Sequence, residues 1–592
     1  MMKTKITIGL LLVSSCLFSC DDESFLKENP ETFYTIDNIF TTSSQVKQAV
    51  TSCYEQVQYI YCPRETWDLG LYSYCLGNGT DMYDVPTIRL ANRFNDYSML
   101  NSQTDNYYKV YSAFYQLINM ANTALMAADL KTIVWESPEE KAKTVGEARF
   151  FRAFAYRNLG ELFGGVPLVK EATTKPRYDY SRSSRLDTYQ YAIDEFEGCL
   201  NGLPETTAEA GRVVRAAALH NLCQLYIDKG VILEESGGGD FKEAYNKAVD
   251  YANQIIDSGV YHLMTARFGT RATEDPTFYY ATAPSDQTVD HSYSSAGQEI
   301  KGNVFWDLFQ MGNQDYQMGN QESIWTIQID YDVYKQEGSK GTIYGGYYCP
   351  VFRDQGGNLA TGSMEDVGGL GTCAICPTFY TRDIIYSDKY AGDMRNSDAV
   401  FRRTIIGNVP GSEYYGKVIP WTVLYREDAN GKRSDPAATM LYPLSCKIAP
   451  DYYMGIEDGQ NRNNLFRDHY MIRLPETILL RAEAKLRLGN TQGAADDINI
   501  IRDRAQCDYR VNAADVTIDL ILDERARELV YEECRWNTLL RMGGTVAMDR
   551  IKKYAYWDYP RTTIIKDFNL WPIPQTVIDV NKDVKLEQNP GW

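Results

Sequence analysis

The chain has 592 residues, a formal net charge of −19 at neutral pH, and apolar and charged fractions of 44% and 23%. Those fractions belong to an ordinary globular protein, and so large an acidic excess makes nucleic acid or an anionic membrane surface a poor partner. The length admits several domains or one large helical one.

The chain opens on Lys3 and Lys5, followed by the apolar run "ITIGLLLVSSCLF" from Ile6 to Phe18 and then "SCDDES". A basic start, a short apolar core and a small residue before the break describe a secretory signal segment over residues 1–19. The run falls short of the roughly 20 apolar residues that a membrane-spanning helix needs, and no later segment reaches that length. Leu17 and Ser19 ahead of Cys20 match the bacterial lipobox, a resemblance that implies cleavage before Cys20 and acylation of its thiol and new amine. Loss of residues 1–19 removes Lys3 and Lys5 and no acid, taking the charge from −19 to −21, so lipid rather than charge would hold the protein at a membrane. Residues 20–35 read as the tether, and Asp21, Asp22 and Glu23 resemble the acidic export signal that sends such lipoproteins to the outer face of the cell. Of the 13 cysteines, Cys16 leaves with the signal and Cys20 takes the lipid. The rest have no framework spacing. The CxxC at Cys373 and Cys376 reads as a local disulfide or as two buried thiols.

Residues 36–261 carry helical patterns: "SSQVKQAVTSCYEQVQYIY", "YYKVYSAFYQLINMANTALMAA", "EEKAKTVGEARFFRAFAYRNLGELF" and "DFKEAYNKAVDYANQIIDSG". In the third, Ala148, Phe151, Ala155, Leu159 and Leu162 recur at three- and four-residue steps and predict one apolar face. Ser137 and Pro138 supply its start, and Gly164, Gly165 and Pro167 its stop. "RAAALHNLCQLYIDKG" with the following helix, and "ETILLRAEAKLRLGN" with "TQGAADDINIIRDRA", alternate small and large residues as tetratricopeptide units do.

Residues 262–469 change character, being rich in Gly, Asn, Asp, Tyr and Trp with few long helical runs. "SIWTIQIDYDV" alternates like a half-buried strand, and Asn430-Gly431 carries a hairpin signal. The aromatics argue against a disordered linker, so this block reads as an ordered, loop-rich insertion with short strands and hairpins. Helices return over residues 470–592, and residues 36–592 are expected to form one compact domain.

The closing segment "NLWPIPQTVIDVNKDVKLEQNPGW" resembles the terminal signature of the SusD/RagB family of outer-membrane nutrient-binding lipoproteins. "LDERARELVYEECRWNTLLRMG" resembles the family's preceding helix, "GEARFFRAFAYRNLGELFGGVPL" its N-terminal helix, and "FLKENPETFYT" its start after the lipidated cysteine. The resemblance implies a mostly α-helical fold, with tetratricopeptide-like helix pairs forming a right-handed helical frame around an irregular insertion that carries the ligand site. It also implies a SusC-type TonB-dependent transporter as partner, an oligosaccharide or a peptide as cargo, and no catalytic chemistry.

Glu524 and Glu528, four apart, suggest a glycosidase acid and base pair, but the arginines around them and the core-facing Leu522, Leu529 and Trp536 favour an internal ion-pair network. His220, His262, His291 and His469 are isolated, and there is no nucleophile elbow, phosphate loop or dinucleotide fingerprint. There are 45 Tyr and 9 Trp against 21 Phe, a tilt towards rings with one apolar face and one polar edge, suited to stacking on sugars. Candidate ligand-binding residues are Trp67, Tyr72, Asn78, Asp81 and Tyr83 in a Gly-rich loop. Asn303, Trp306 and Tyr316, beside Asp307, form a second group; Tyr347 and Arg353, beside Tyr344 and Tyr348, form a third. "DMRNSD", from Asp393 to Asp398, resembles a family element and reads as a loop fixed by an arginine ion pair. No metal site is expected, although the acidic loops leave room for a structural calcium ion. The expected role is binding an oligosaccharide at the cell surface and delivering it to the transporter. Peptide cargo is the main alternative, with a surface glycosidase or a pure protein scaffold behind it.

Overall fold

Thr42 and Gln45 form a capping box at the start of α1 (Ser43–Tyr61), each side chain accepting from the other's backbone N–H, which satisfies two of the donors left open at a helix start. The computed structural model describes residues 39–62, 77–85, 94, 96–275, 277–279, 297–330, 347–351, 373–405, 407, 411–415, 417–425, 440–448, 466–555, 562–564 and 568–592. The expected lipidation site Cys20, the expected tether and the Asn430-Gly431 hairpin signal lie outside the described residues. β1 (Tyr83–Asp84) and α2 (Asp105–Ala128) follow α1, and then α3 (Pro138–Phe163) begins as its sequence predicts. Ser137 accepts from the Glu140 N–H at 3.1 Å, and Pro138 opens the first turn. Gly164 ends the helix at φ 75°, where an added Cβ would lie 2.8 Å from Leu570 Cδ1.

α4 (Arg185–Cys199), α5 (Arg215–Ser236) and α6 (Phe241–Ile256) complete the first half, and from α2 onwards each long helix packs on the one before it. The single apolar face expected for α3 is too narrow a description. Phe150, Phe154, Tyr156, Asn158 and Glu161 are buried along with the predicted stripe, because α1, α2, α4 and α5 all pack on this helix. α5 and α6 are the small-on-large pair expected of a tetratricopeptide unit. Gly230 faces Tyr245, whose hydroxyl donates to Glu234 Oε2 at 2.7 Å. A Cβ at Gly230 would stand 2.4 Å from Tyr245 Cε1. Crowding of that kind costs ~1–3 kcal/mol, against a helix-propensity gain of ~1 kcal/mol. Gly230→Ala is therefore expected to lower the thermal midpoint, and an unchanged or raised midpoint would show that the pair has slack.

Beyond α6 the elements shorten. β2 (Thr277–Tyr279), β3 (Gly297–Glu299), α7 (Val304–Leu308), β4 (Ser323–Ile327), β5 (Cys376–Pro377), α8 (Phe379–Arg382), β6 (Phe401–Arg402), α9 (Trp421–Leu424), β7 (Leu444–Ser445) and β8 (His469–Arg473) follow in order. Among the described residues they form two-stranded antiparallel ladders only: β1 with β5, β2 with β3, β4 with β8, and β6 with β7. The strand expected in "SIWTIQIDYDV" is present over Ser323–Ile327, but it is buried on both faces. Trp325 packs edge-on to Phe150 and Phe154 at 5.3 and 5.5 Å, and Thr326 on the polar face donates to Asp315 Oδ1 at 2.6 Å.

The chain then re-enters the helical stack. α10 (Leu474–Arg487) and α11 (Thr491–Arg504) form the second predicted pair, and α10 packs directly on α6. Arg481 on α10 ties the layers, donating to Asn253 Oδ1 at 2.8 Å and to both Asp497 oxygens at 2.7 and 3.1 Å. His220 on α5 is a core residue, 2.8 Å from Thr477 Oγ1. The middle segment is thus an insertion into one continuous stack of tetratricopeptide-like pairs. α12 (Ile518–Leu529), α13 (Arg535–Arg541), α14 (Val546–Tyr554) and α15 (Gln575–Val580) finish the chain. The closing segment returns to the first helices: the Trp571 N–H donates to Leu162 O at 2.7 Å, and its ring meets Phe94, Tyr107, Phe163 and Trp536 at 5.1–5.7 Å.

Candidate functional site

α12 carries Glu524 and Glu528 one turn apart, and both are fully buried. Glu524 accepts from Arg395 at 2.8 Å and from Arg502 and Arg527 at 2.9 Å. Glu528 accepts from Arg395 at 3.1 Å, from Arg473 at 3.3 Å and from Arg504. Asp393 completes the cluster on Arg395 at 2.6 Å, Glu322 on Arg473 at 2.8 Å, and Glu532 on Arg473 at 2.6 Å and Lys447 at 2.5 Å. Burial by itself raises the Glu528 carboxyl, but Arg504, Arg473 and Arg395 outweigh it and hold it at about 2. Glu524 is held well below the ordinary range in the same way, by Arg395, Arg502 and Arg527 against burial. A general acid must carry a proton near neutral pH. These two glutamates do not, and their oxygens are filled by guanidinium groups. They are the expected ion-pair network, and Asp393–Arg395 is the expected loop-fixing pair. Its partners come from α12, so it clamps the insertion onto the helical frame.

A second charged centre holds the first candidate loop. Asp81 accepts from Arg535 at 2.9 and 2.8 Å, one bond to each oxygen, and from Arg550 at 2.7 Å. Burial raises its carboxyl, and the two arginines outweigh burial and bring it to about 2. Asn78 lies beside it with its backbone oxygen accepting from Trp536 Nε1 at 2.9 Å. The Tyr83 hydroxyl accepts from the Tyr531 N–H at 2.7 Å, and its ring packs against Tyr348 and Tyr531 at 5.3 and 5.7 Å. Tyr347, Cys373 and Cys376 are buried in the same corner. The two cysteines are thiols, with Cys376 Sγ donating to Asp84 O at 3.3 Å.

The second candidate group sits apart from the first. Asn303 caps α7, accepting from the Trp306 N–H at 3.1 Å and donating to Ser397 Oγ at 2.7 Å. The Trp306 ring is buried between the guanidinium groups of Arg267 and Arg271, at 5.4 and 4.6 Å from its centroid. Asp307 anchors Arg267 at 2.5 Å. Tyr316 is half-buried, edge-on to Tyr261 at 5.6 Å, at a small cleft bordered by Gly211 and Trp325. Trp67, Tyr72, Tyr344 and Arg353 lie outside the described residues. Of the described candidates, then, Asn78, Asp81, Tyr83, Trp306 and Tyr347 are interior, Asn303 is half-buried with its side chain spent on capping α7, and only Tyr316 has a partly open ring. Among the described residues, no group of three or more His, Cys, Asp or Glu is disposed to hold a metal ion.

The sequence reading passed over an open cavity of about 310 Å³ lined by Tyr108, Tyr111 and Tyr115 of α2, by the segment after α3, and by α15. Its signal was present as tyrosines at steps of three and four along α2, a spacing that also describes a core stripe.

The SusD family model matches residues 278–592, just over half of the chain, and a second model, described as starch-binding and associating with the outer membrane, matches residues 77–227. SusD-like protein P2 of Formosa agariphila is 24% identical over 616 aligned residues that cover 100% of both chains. A SusD-like protein of Bacteroides ovatus is 26% identical over 268 residues, 45% of this chain and 46% of its own length. Among solved structures, a SusD homolog from Bacteroides thetaiotaomicron has the same fold, with a TM-score of 0.67 at 17% identity, covering 94% of this chain and 98% of the other. Surface glycan-binding protein A from the same species, in complex with laminarihexaose, matches with a TM-score of 0.61 at 19% identity, covering 93% and 100%. With its matched C-terminal half built on the arginine-clamped insertion and the returning helices, this chain belongs to the SusD family.

Proposed function

We propose that this protein is a lipoprotein of the outer membrane, anchored through Cys20 and facing the cell exterior. It binds a neutral oligosaccharide without cleaving it and hands it to a SusC-type TonB-dependent transporter. Membership of the SusD family carries this reading, and the fold shared with a protein that holds laminarihexaose supports it. The net charge of −19 favours a neutral ligand over an anionic one. Ligand contact falls to Trp67, Tyr72, Arg353 and the partly open Tyr316. Asn78, Asp81, Tyr83, Asn303, Trp306 and Tyr347 hold the described parts of their loops in place.

Calorimetric titration of a neutral glycan panel that includes laminarihexaose tests the reading. At least one glycan is expected to bind, and Trp67→Ala is expected to weaken it about tenfold, or ~1.4 kcal/mol, the worth of two or three C–H contacts at ~0.5–1 kcal/mol each. Tight binding of peptides with no binding of any glycan would move the cargo to peptides.

A further inference from the structure

The cavity at α2 and α15 has the construction of a ligand site, and none of the described loop candidates, Asn78, Asp81, Tyr83, Asn303, Trp306, Tyr316 and Tyr347, lines it. Its floor is apolar: Tyr111 and Tyr115 lie with ring centroids 4.8 Å apart, beside Ile118 and Val169. Val577, Val580 and Leu586 close the opposite wall. The volume, about 310 Å³, is at the low end of the ~300–1,000 Å³ of small-ligand pockets, room for one or two six-membered rings.

The walls are fixed before any ligand arrives. The Tyr115 hydroxyl donates to Pro167 O at 2.7 Å. Asn119 Oδ1 accepts from the Thr173 N–H at 3.1 Å. Asn581 exchanges two hydrogen bonds with the Tyr180 backbone, both at 2.9 Å, which joins α15 to the segment after α3. Arg177 lies over the Tyr180 ring at 5.0 Å and is paired to Asp179 at 3.0 Å, so the cation at the rim is already neutralised.

The mouth is chemically different from the floor. Tyr108, Asn119, Thr173, Tyr180 and Thr576 all line the cavity, and neither their hydroxyls nor the Asn119 side-chain N–H groups have a protein partner among the described residues. Tyr108 and Val580 are 40% and 55% exposed, so apolar ring and aliphatic surface is open to a ligand here. An apolar side chain from another protein would use the floor and leave the ring of donors and acceptors idle. A neutral sugar uses both, its C–H face against the tyrosines and its hydroxyls towards the rim.

We infer that this cavity is a second carbohydrate site, taking one or two neutral pyranose units, separate from the loop-borne site. The inference rests on the oligosaccharide reading above. Binding at two places on one chain would raise retention of a long glycan without new contacts at either.

Saturation-transfer NMR and calorimetry with laminaribiose, maltose and cellobiose test it on the full chain. Trp67→Ala removes a loop contact; Tyr108→Ala removes one wall of the cavity; Thr576→Trp plugs its mouth from an exposed position. In the Trp67→Ala background at least one disaccharide is expected still to bind, and adding Tyr108→Ala or Thr576→Trp is expected to weaken it at least tenfold. The inference is overturned if a disaccharide binds the wild type but Trp67→Ala alone abolishes it, or if binding survives both cavity substitutions. Failure of the parent reading is a different result: no disaccharide and no longer glycan binds the wild type at all.

Discussion

Glu528→Gln is expected to cost the fold about 3–5 kcal/mol, the loss that follows removal of one partner from a buried ion pair. The carboxylate is fully buried and faces Arg395, Arg473 and Arg504 at once. A neutral amide of the same shape keeps the packing and removes the charge, which leaves three guanidinium groups to share the remaining acids of the cluster. The loss lies in the uncompensated cations, not in lost contact area. Chemical denaturation at neutral pH measures it, and a change below ~1 kcal/mol would mean that the neighbouring acids absorb the missing charge. Asp503→Asn is the control, because the Arg510–Asp503 pair is more than half exposed and exposed pairs contribute ~0–1 kcal/mol.

Acid is expected to unfold the protein in two stages. His220 is buried, and burial brings its imidazole from 6.5 down to about 4. Its neutral form belongs to the folded state, so the stability tied to it is complete above 6.5 and is lost as the pH falls through 4. The arginine-held carboxylates follow. Glu528 and Glu483 stand at about 2 against an ordinary 4.5, and Asp81 at about 2 against 3.8. Their contribution is complete above those ordinary values and is lost as the pH falls towards 2, at roughly 3 kcal/mol per glutamate. Asp228 and Asp468 pull the other way. Burial and the neighbouring Glu161 and Asp315 raise their carboxyls, so they favour the fold below 3.8 and lose that contribution as the pH rises. They flatten the acid limb without removing it. Melts followed by circular dichroism should show a shallow decline from 6.5 and a steep one below 4.5. A midpoint unchanged down to pH 3 would mean that the buried carboxylates are not held by their arginines.

Particular elements show how far the sequence could be read. α3 was legible to the residue at both ends, because Ser137, Pro138 and Gly164 act through the dihedrals and hydrogen bonds of their own turn. The two tetratricopeptide-like pairs were legible because alternation of small and large residues records where one helix touches the next. The glutamates of α12 were legible as structural from the arginines and core-facing residues on and beside that helix, yet of their partners only Arg527 is local; Arg395, Arg473, Arg502 and Arg504 reach them from 22 to 133 residues away. Trp306 shows where the reading stops. Its loop setting resembles a ligand platform, yet Arg267 and Arg271, which cover its ring, lie more than thirty residues upstream with nothing local to announce the contact. Asp81 is the same case at longer range, since Arg535 and Arg550 reach it across more than 450 residues. Tyr108, Tyr111 and Tyr115 fail in the opposite direction: their spacing fits a buried stripe, and only the arrival of α15 from the far end of the chain turns it into an open cavity.

By itself the sequence determined the helical frame, its paired organisation, the density of charge along α12 and the family to which the chain belongs. Each is written in signals a few residues long, set by backbone geometry, side-chain periodicity and capping. The tertiary structure alone decided which aromatic rings are buried, which carboxylates are neutralised and where a ligand-sized space remains. Those depend on segments hundreds of residues apart meeting at one point, and burial is a property of the meeting rather than of either segment.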